Sequence, residues 1–149
     1  NPPYIDSEGM VNSGQGATRD FISKNYKYAK GNWDIYIAFF EKGIDLLNSD
    51  GVLIYITPDK WVAKPFGDAL RIGCLKYISS VLIAGRKVFQ SATVDSIITK
   101  FNKNGTDSLE ILDLSNNQLS ALPDDLHQLQ QPLVLSQTFA LVMKASRYT

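Results

Sequence analysis

Asn1-Pro2-Pro3-Tyr4 places an amide oxygen, two prolines and an aromatic ring in four consecutive residues, a set suited to holding a planar amino group while a methyl group is delivered to it. An exocyclic amine on a heterocyclic base is a poor nucleophile because its lone pair is delocalised into the ring. A catalyst must therefore favour the pyramidal form that develops in the transition state, and two fixed hydrogen-bond acceptors do so. The Asn1 side-chain oxygen is one candidate. A main-chain carbonyl is the other, because Pro2 and Pro3 carry no amide hydrogen and restrict their own and the preceding residue's backbone angles. Preorganised dipoles of this kind act on charge that develops during reaction. Tyr4 adds a flat face for stacking, worth roughly 1–3 kcal/mol per base. The tetrapeptide also reads as an extended Asn-Pro turn followed by a core tyrosine, so its surroundings decide.

The elements that must position it follow in order. Residues 5–31 hold glycines at 9, 14, 16 and 31 and little sustained periodicity, and are expected to form a long irregular connection with a short helical turn near 19–23. Asn32 is placed to cap a helix running to about Leu47, with Ile35, Ala38, Phe39 and Leu46 on a broad apolar face, ended by Asp50-Gly51. Val52-Leu53-Ile54-Tyr55-Ile56 is a nearly continuous apolar run of strand length, as expected for a strand covered on both faces. A second helical region over 65–76 precedes strands at 78–84, 94–101 and 109–114. The late strands are joined too closely for helical crossovers, which implies an antiparallel edge on a parallel sheet. Trp61 is expected to be structural, and Asp34, Glu41 and Asp45 to lie on a solvated helix face.

Composition narrows the function classes. With 149 residues and 44% hydrophobic content, the chain can bury one substantial core. No apolar run approaches the roughly 18 residues that span a bilayer, so no membrane role is expected. A single cysteine, Cys74, excludes an internal disulfide and is expected to be buried filler. One histidine, His127, removes zinc clusters and most histidine-based catalysis, and no metal site is expected. Gly14-Gln15-Gly16 lacks the third glycine and the preceding strand of a dinucleotide fingerprint. Formal charge is zero overall, yet residues 1–106 carry 13 basic and 10 acidic groups against 2 and 5 in residues 107–149. The excess, in Lys24, Lys27, Lys30, Lys60, Lys64, Arg86 and Lys87, is compatible with phosphate contacts.

The order of four segments resembles the second half of a DNA adenine-N6 methyltransferase of bacterial restriction-modification systems. These segments are Asn1-Pro2-Pro3-Tyr4, the helix Asp34-Ile35-Tyr36-Ile37-Ala38-Phe39-Phe40-Glu41-Lys42-Gly43, the strand and its exit Gly51 to Pro58 with Trp61, and Val88-Phe89-Gln90-Ser91-Ala92-Thr93-Val94. The resemblance covers about residues 1–113. It implies an α/β fold: a partial Rossmann-like methyltransferase domain with a mostly parallel sheet, an antiparallel edge and flanking helices. Residues 1–121 would be the C-terminal part of the catalytic domain, and 122–149 a linker or the start of a target-recognition region.

The resemblance also implies roles. Asn1 and the Pro2 carbonyl would accept hydrogen bonds from the target amine, with Tyr4 as the third catalytic residue, stacked on a flipped adenine of double-stranded DNA. Phe89 would close the substrate pocket, and Pro3 and Phe39 would line the adenine of the methyl donor, S-adenosylmethionine. For Phe39 and Phe89 plain core packing is the competing reading. Extrusion of the base is required because a paired base is out of reach of a catalytic pocket. Such enzymes need an upstream glycine-rich loop and a ribose-binding acid for the donor, and neither is present in this sequence. The chain is accordingly expected to be a cytoplasmic, prokaryotic fragment, inactive alone and open to self-association over bare sheet surface, from a parent with a fused or associated restriction nuclease.

Two other readings stay open. Enzymes that methylate a glutamine amide in release factors, or an RNA base, use the same tetrapeptide; the exit Ile56-Thr57-Pro58-Asp59-Lys60-Trp61 departs from the Glu-Ile-Gly sequence of the release-factor group. Separately, residues 109–119 match a leucine-rich repeat template, but one copy cannot bury its own apolar face and about three are needed for a stable stack.

Overall fold

The computed structural model describes residues 1–85 and 94–114. Helices α1 (Ser7–Asn12), α2 (Gly16–Asn25) and α3 (Tyr36–Leu46) lead into strand β1 (Val52–Pro58). A short α4 (Lys60–Ala63), a 3-10 turn (Pro65–Gly67), α5 (Asp68–Cys74) and a second 3-10 turn (Leu75–Tyr77) then carry the chain to β2 (Ile78–Gly85), β3 (Ser96–Asn102) and β4 (Glu110–Asp113).

The four strands form one sheet in the order β1-β3-β2-β4. β3 is antiparallel to both β1 and β2, and β4 runs parallel to β2, so three strands share a direction and one opposes them. This is the α/β arrangement the sequence implies, a mixed sheet flanked by helices in which two of the three strand pairings are antiparallel, with one correction of position. The antiparallel strand lies inside the sheet and not at its edge. The crossover from β1 through α4 and α5 skips one strand position, and β3 returns into the gap.

Phe40 is the hub of the core. Fully buried on α3, it meets the rings of Phe101 at 5.2 Å, Trp61 at 5.5 Å, Tyr55 at 5.8 Å and Tyr36 at 6.1 Å. Trp61 is structural, as its sequence context suggests, and Cys74 is buried. The α4 turn is fixed by close backbone approach. A Cβ on Gly67 would lie 1.9 Å from the Trp61 carbonyl oxygen, and buried Arg71 bonds the carbonyls of Trp61 and Lys64 and pairs with Asp68.

Several local expectations are corrected. Residues 5–31 hold two helices. Asp6 caps α1 by accepting the Gly9 amide at 2.6 Å, but α1 buries only Ser7 and Met10 and α2 only Ile22, which leaves almost no periodic apolar signal. Asn32 does not cap α3; its amide oxygen accepts from the Ser7 hydroxyl at 2.7 Å, and the helix begins at Tyr36 without a side-chain cap. β1 is not covered on both faces, since Leu53 and Tyr55 pack on the core while Val52 and Ile54 are exposed. Asp34 and Glu41 are buried, not solvated: Glu41 accepts the amides of Lys27 at 3.1 Å and Tyr28 at 3.0 Å. Phe89, Arg86, Lys87 and residues 115–149, with the domain boundary expected there and the second part of the repeat-like segment, lie outside the described residues.

Candidate functional site

The tetrapeptide is anchored at the carboxyl end of β1, the end at which open α/β sheets bind ligands. The Tyr4 hydroxyl lies 3.1 Å from the Ile56 carbonyl oxygen and 3.0 Å from Asn1 Oδ1, so one phenol proton serves the sheet and the amide of Asn1. A carbonyl oxygen carries two lone pairs, so Asn1 Oδ1 retains capacity for a second donor. The Tyr4 ring meets Tyr36 edge-on at 6.3 Å. Just beyond, the amide of Ser7 donates to the Trp33 carbonyl at 2.8 Å and that of Ile35 to the Ile5 carbonyl at 2.9 Å. These two bonds tie the segment after the tetrapeptide to the residues leading into α3. Of the sequence-derived site residues, Asn1 and Tyr4 are therefore brought together, Pro2 is buried and Pro3 exposed. Phe39 keeps 39% of its surface exposed, whereas Phe40 beside it is fully buried. Adjacent helix positions point about 100° apart, and here Phe40 turns into the core while Phe39 leaves part of its surface outside it.

Three features escape the sequence reading. The first is the Ile56 carbonyl as the tether of Tyr4, which only strand placement reveals. The second is Asp34. It is 9% exposed, its Oδ1 meets no hydrogen-bond partner among the described residues, and burial pushes its carboxyl up to about 6, with Lys60 and main-chain hydrogen bonds at Ile5 and Ile35 opposing that rise. Burial likewise raises Tyr4 and Tyr36, with the charge of Asp34 adding to both, and raises Asp59, with Asp95 adding to it. Desolvation thus acts on several groups around one end of β1, a pattern frequent at functional sites. The third is a cavity of about 490 Å³ beside Asp34, bounded by Lys30, Asn32, Lys60, Lys64 and Phe66, with Asp6 at its rim. Among the described residues no group of three or more His, Cys, Asp and Glu is arranged to hold a metal, and no helix is long and apolar enough to cross a membrane.

Asn-Pro-Pro-Tyr thus stands at the carboxyl end of β1 in an α/β sheet, and the family match names the class as a restriction-modification methylase. Residues 1–89 match the family model described as "Eco57I restriction-modification methylase", and the chain belongs to that family. It is 29% identical over 119 residues to the type II restriction enzyme and methyltransferase RM.Eco57I of Escherichia coli, covering 78% of this chain and 12% of that protein. It is 25% identical over 112 residues to a type II methyltransferase of Thermus thermophilus, covering 70% of this chain and 25% of that protein. The chain thus spans a quarter or less of either relative. The crystal structure of the type IIG restriction endonuclease BpuSI superposes with a TM-score of 0.54 at 17% identity, over 76% of this chain and 14% of that one, a likeness of fold.

Proposed function

We propose that this chain is the acceptor-binding half of a DNA adenine-N6 methyltransferase, working with a donor-binding half elsewhere in the same enzyme. The reading is carried by the shared hydrogen-bonding of Tyr4: one phenol holds Asn1 Oδ1 and the Ile56 carbonyl, and so fixes an amide acceptor and an aromatic ring against the sheet. An adenine extruded from duplex DNA stacks on Tyr4, and its amine donates to Asn1 Oδ1 and the Pro2 carbonyl. These two acceptors draw the amine hydrogens out of the ring plane and localise the lone pair on nitrogen. They also stabilise the positive charge that nitrogen acquires before it releases a proton. No side-chain nucleophile is needed, because the amine nitrogen is itself the attacking atom.

S-adenosylmethionine, when bound, supplies a methyl group made electrophilic by its sulfonium. Pro3 and Phe39 are the residues here that would line its adenine, since both leave apolar surface outside the core. Phe89 would close the base pocket. The remainder of the donor site would come from the other half of the enzyme, and the chain alone would not transfer methyl groups. A nuclease, fused or associated, would complete a restriction-modification system acting on DNA in a prokaryotic cytoplasm.

The test is Asn1→Ala in the enzyme that joins this chain to its donor-binding half, measured by single-turnover methylation of duplex DNA. Loss of one preorganised acceptor should slow methyl transfer by about 100-fold or more, with DNA affinity nearly kept. An unchanged rate removes Asn1 from the mechanism.

A further inference from the structure

The cavity beside Asp34 contains chemistry that amine activation does not use. Its volume of about 490 Å³ lies within the range of small-ligand sites. Lys30 reaches it from the segment before α3, and Lys60 and Lys64 from α4 and the residue that ends it. All three side chains are exposed, and no ion pair joins any of them to a described residue. Three cations from two chain segments thus surround one hollow, which half-buried Phe66 lines with an aromatic ring. Two carboxyl groups, Asp6 and Asp34, share the wall, so with every group ionised the net charge is a single positive. That balance suits one phosphodiester and disfavours a polyphosphate. Asp34, nine-tenths buried with an unpartnered Oδ1, adds an acceptor that an N–H group of a nucleobase can meet and that an aliphatic or lipid ligand would leave unsatisfied.

We propose that this cavity is a second nucleotide subsite, in which Lys30, Lys60 and Lys64 hold the phosphodiester adjoining the extruded adenine and Phe66 receives the neighbouring base. The inference rests on the reading of the tetrapeptide as an adenine site, and the position agrees with it. The cavity opens immediately after β1, whose Ile56 carbonyl anchors Tyr4, and it shares Asp34 with the electrostatic surroundings of Tyr4. On this reading a strand with one base on Tyr4 continues into the lysine-lined hollow. The function assigned to the subsite is to clamp the backbone next to the target, keeping the base extruded while the amine reacts.

The probe is a short fluorescein-labelled oligothymidylate with one central adenine, titrated with the chain over a range of salt concentrations. The comparison is between Lys60→Gln/Lys64→Gln and a control pair of equal charge change, Lys42→Gln/Lys76→Gln. Lys42 lies within α3 and Lys76 just before the amino end of β2, and neither lines the cavity. The cavity pair should weaken binding about tenfold and reduce the salt slope by roughly 0.7, the value for one phosphate on a single strand. The control pair should change binding less than about twofold, as surface charges not in contact with a phosphate would. A neutral methylphosphonate beside the adenine should cost the unmodified chain a similar factor and cost the cavity variant nothing more. Equal behaviour of the two lysine pairs, or additive losses from the variant and the methylphosphonate, would overturn the subsite. Tyr4→Ala separates the two readings. If adenine-dependent binding is lost with Tyr4 while the lysine pairs behave alike, the adenine site stands and the subsite falls; if Tyr4→Ala changes nothing while the cavity pair loses its phosphate contact, the phosphate clamp stands and the adenine reading falls.

Discussion

Removing one oxygen atom separates two roles that Tyr4 combines. Tyr4→Phe keeps the ring for stacking and deletes the hydroxyl that lies 3.0 Å from Asn1 Oδ1 and 3.1 Å from the Ile56 carbonyl oxygen. A single proton serves both acceptors, and the net value of one such bond is about 0.5–1.5 kcal/mol. Water reaches the Asn1 end, so the loss of fold stability should stay near the lower figure. The catalytic loss has another origin: the Asn1 amide is no longer held in one orientation. At about 1 kcal/mol that is roughly fivefold in kcat, by the relation of about 1.4 kcal/mol per tenfold, with the KM for DNA almost unchanged. Tyr4→Ala should also lose the stacking face, and a further roughly 1–3 kcal/mol should appear as weaker DNA binding. Both variants are measured by steady-state methylation of duplex DNA and by equilibrium binding. A Tyr4→Phe enzyme with full kcat would refute the positioning role of the hydroxyl, and equal DNA affinity of the two variants would refute stacking on the ring.

Four further outcomes are expected. Phe40→Ala, at the centre of four aromatic contacts, should cost about 3–5 kcal/mol in chemical denaturation. Phe39→Ala on the neighbouring position should change stability by less than about 0.5 kcal/mol while weakening S-adenosylmethionine binding by calorimetry; retained donor affinity would remove Phe39 from the cofactor wall. Gly67→Ala forces a methyl group against the Trp61 carbonyl and should destabilise by at least about 1–3 kcal/mol, seen as a lowered melting temperature. Asp34 gives a pH dependence of known sign. Its folded-state pKa of about 6 lies above the ordinary 3.8, so between those values the folded protein binds more protons than the unfolded chain. This contribution therefore favours folding increasingly as pH falls through 6 towards 4. Asp34→Asn should remove the dependence, so the melting-temperature difference from the parent should shrink as pH is lowered through that window.

The strands were legible in the sequence because their apolar and β-branched runs are continuous: β1, β2, β3 and β4 all begin within two residues of their sequence-derived starts. Their spatial order was not legible, because a crossover of helix and turns does not reveal whether it passes over one strand position or two. The two early helices escaped for the opposite reason. With one or two buried residues each they are held by caps and local bonds, such as the Asp6 carboxylate on the Gly9 amide, and they bury no periodic stripe. At the site, Asn1 and Tyr4 could be singled out because the chemistry of an amine dictates residue types. Asp34 could not, since nothing local distinguishes a carboxyl on a solvated helix face from one enclosed beneath the tetrapeptide's neighbours. Glu41 was hidden in the same way, as its amide partners at Lys27 and Tyr28 come from a preceding loop.

The central claim, that the tetrapeptide activates the N6 amine of adenine, is tested most directly by the identity of the methylated nucleoside. Enzyme carrying this chain is incubated with isotopically labelled S-adenosylmethionine and duplex DNA, and the DNA is digested and resolved by mass spectrometry beside a parallel reaction with Asn1→Ala. The account predicts label in N6-methyldeoxyadenosine and a drop of about 100-fold in the variant. Label in cytosine, label confined to protein or RNA substrates offered alongside, or an Asn1→Ala enzyme that methylates adenine at the parental rate would contradict it.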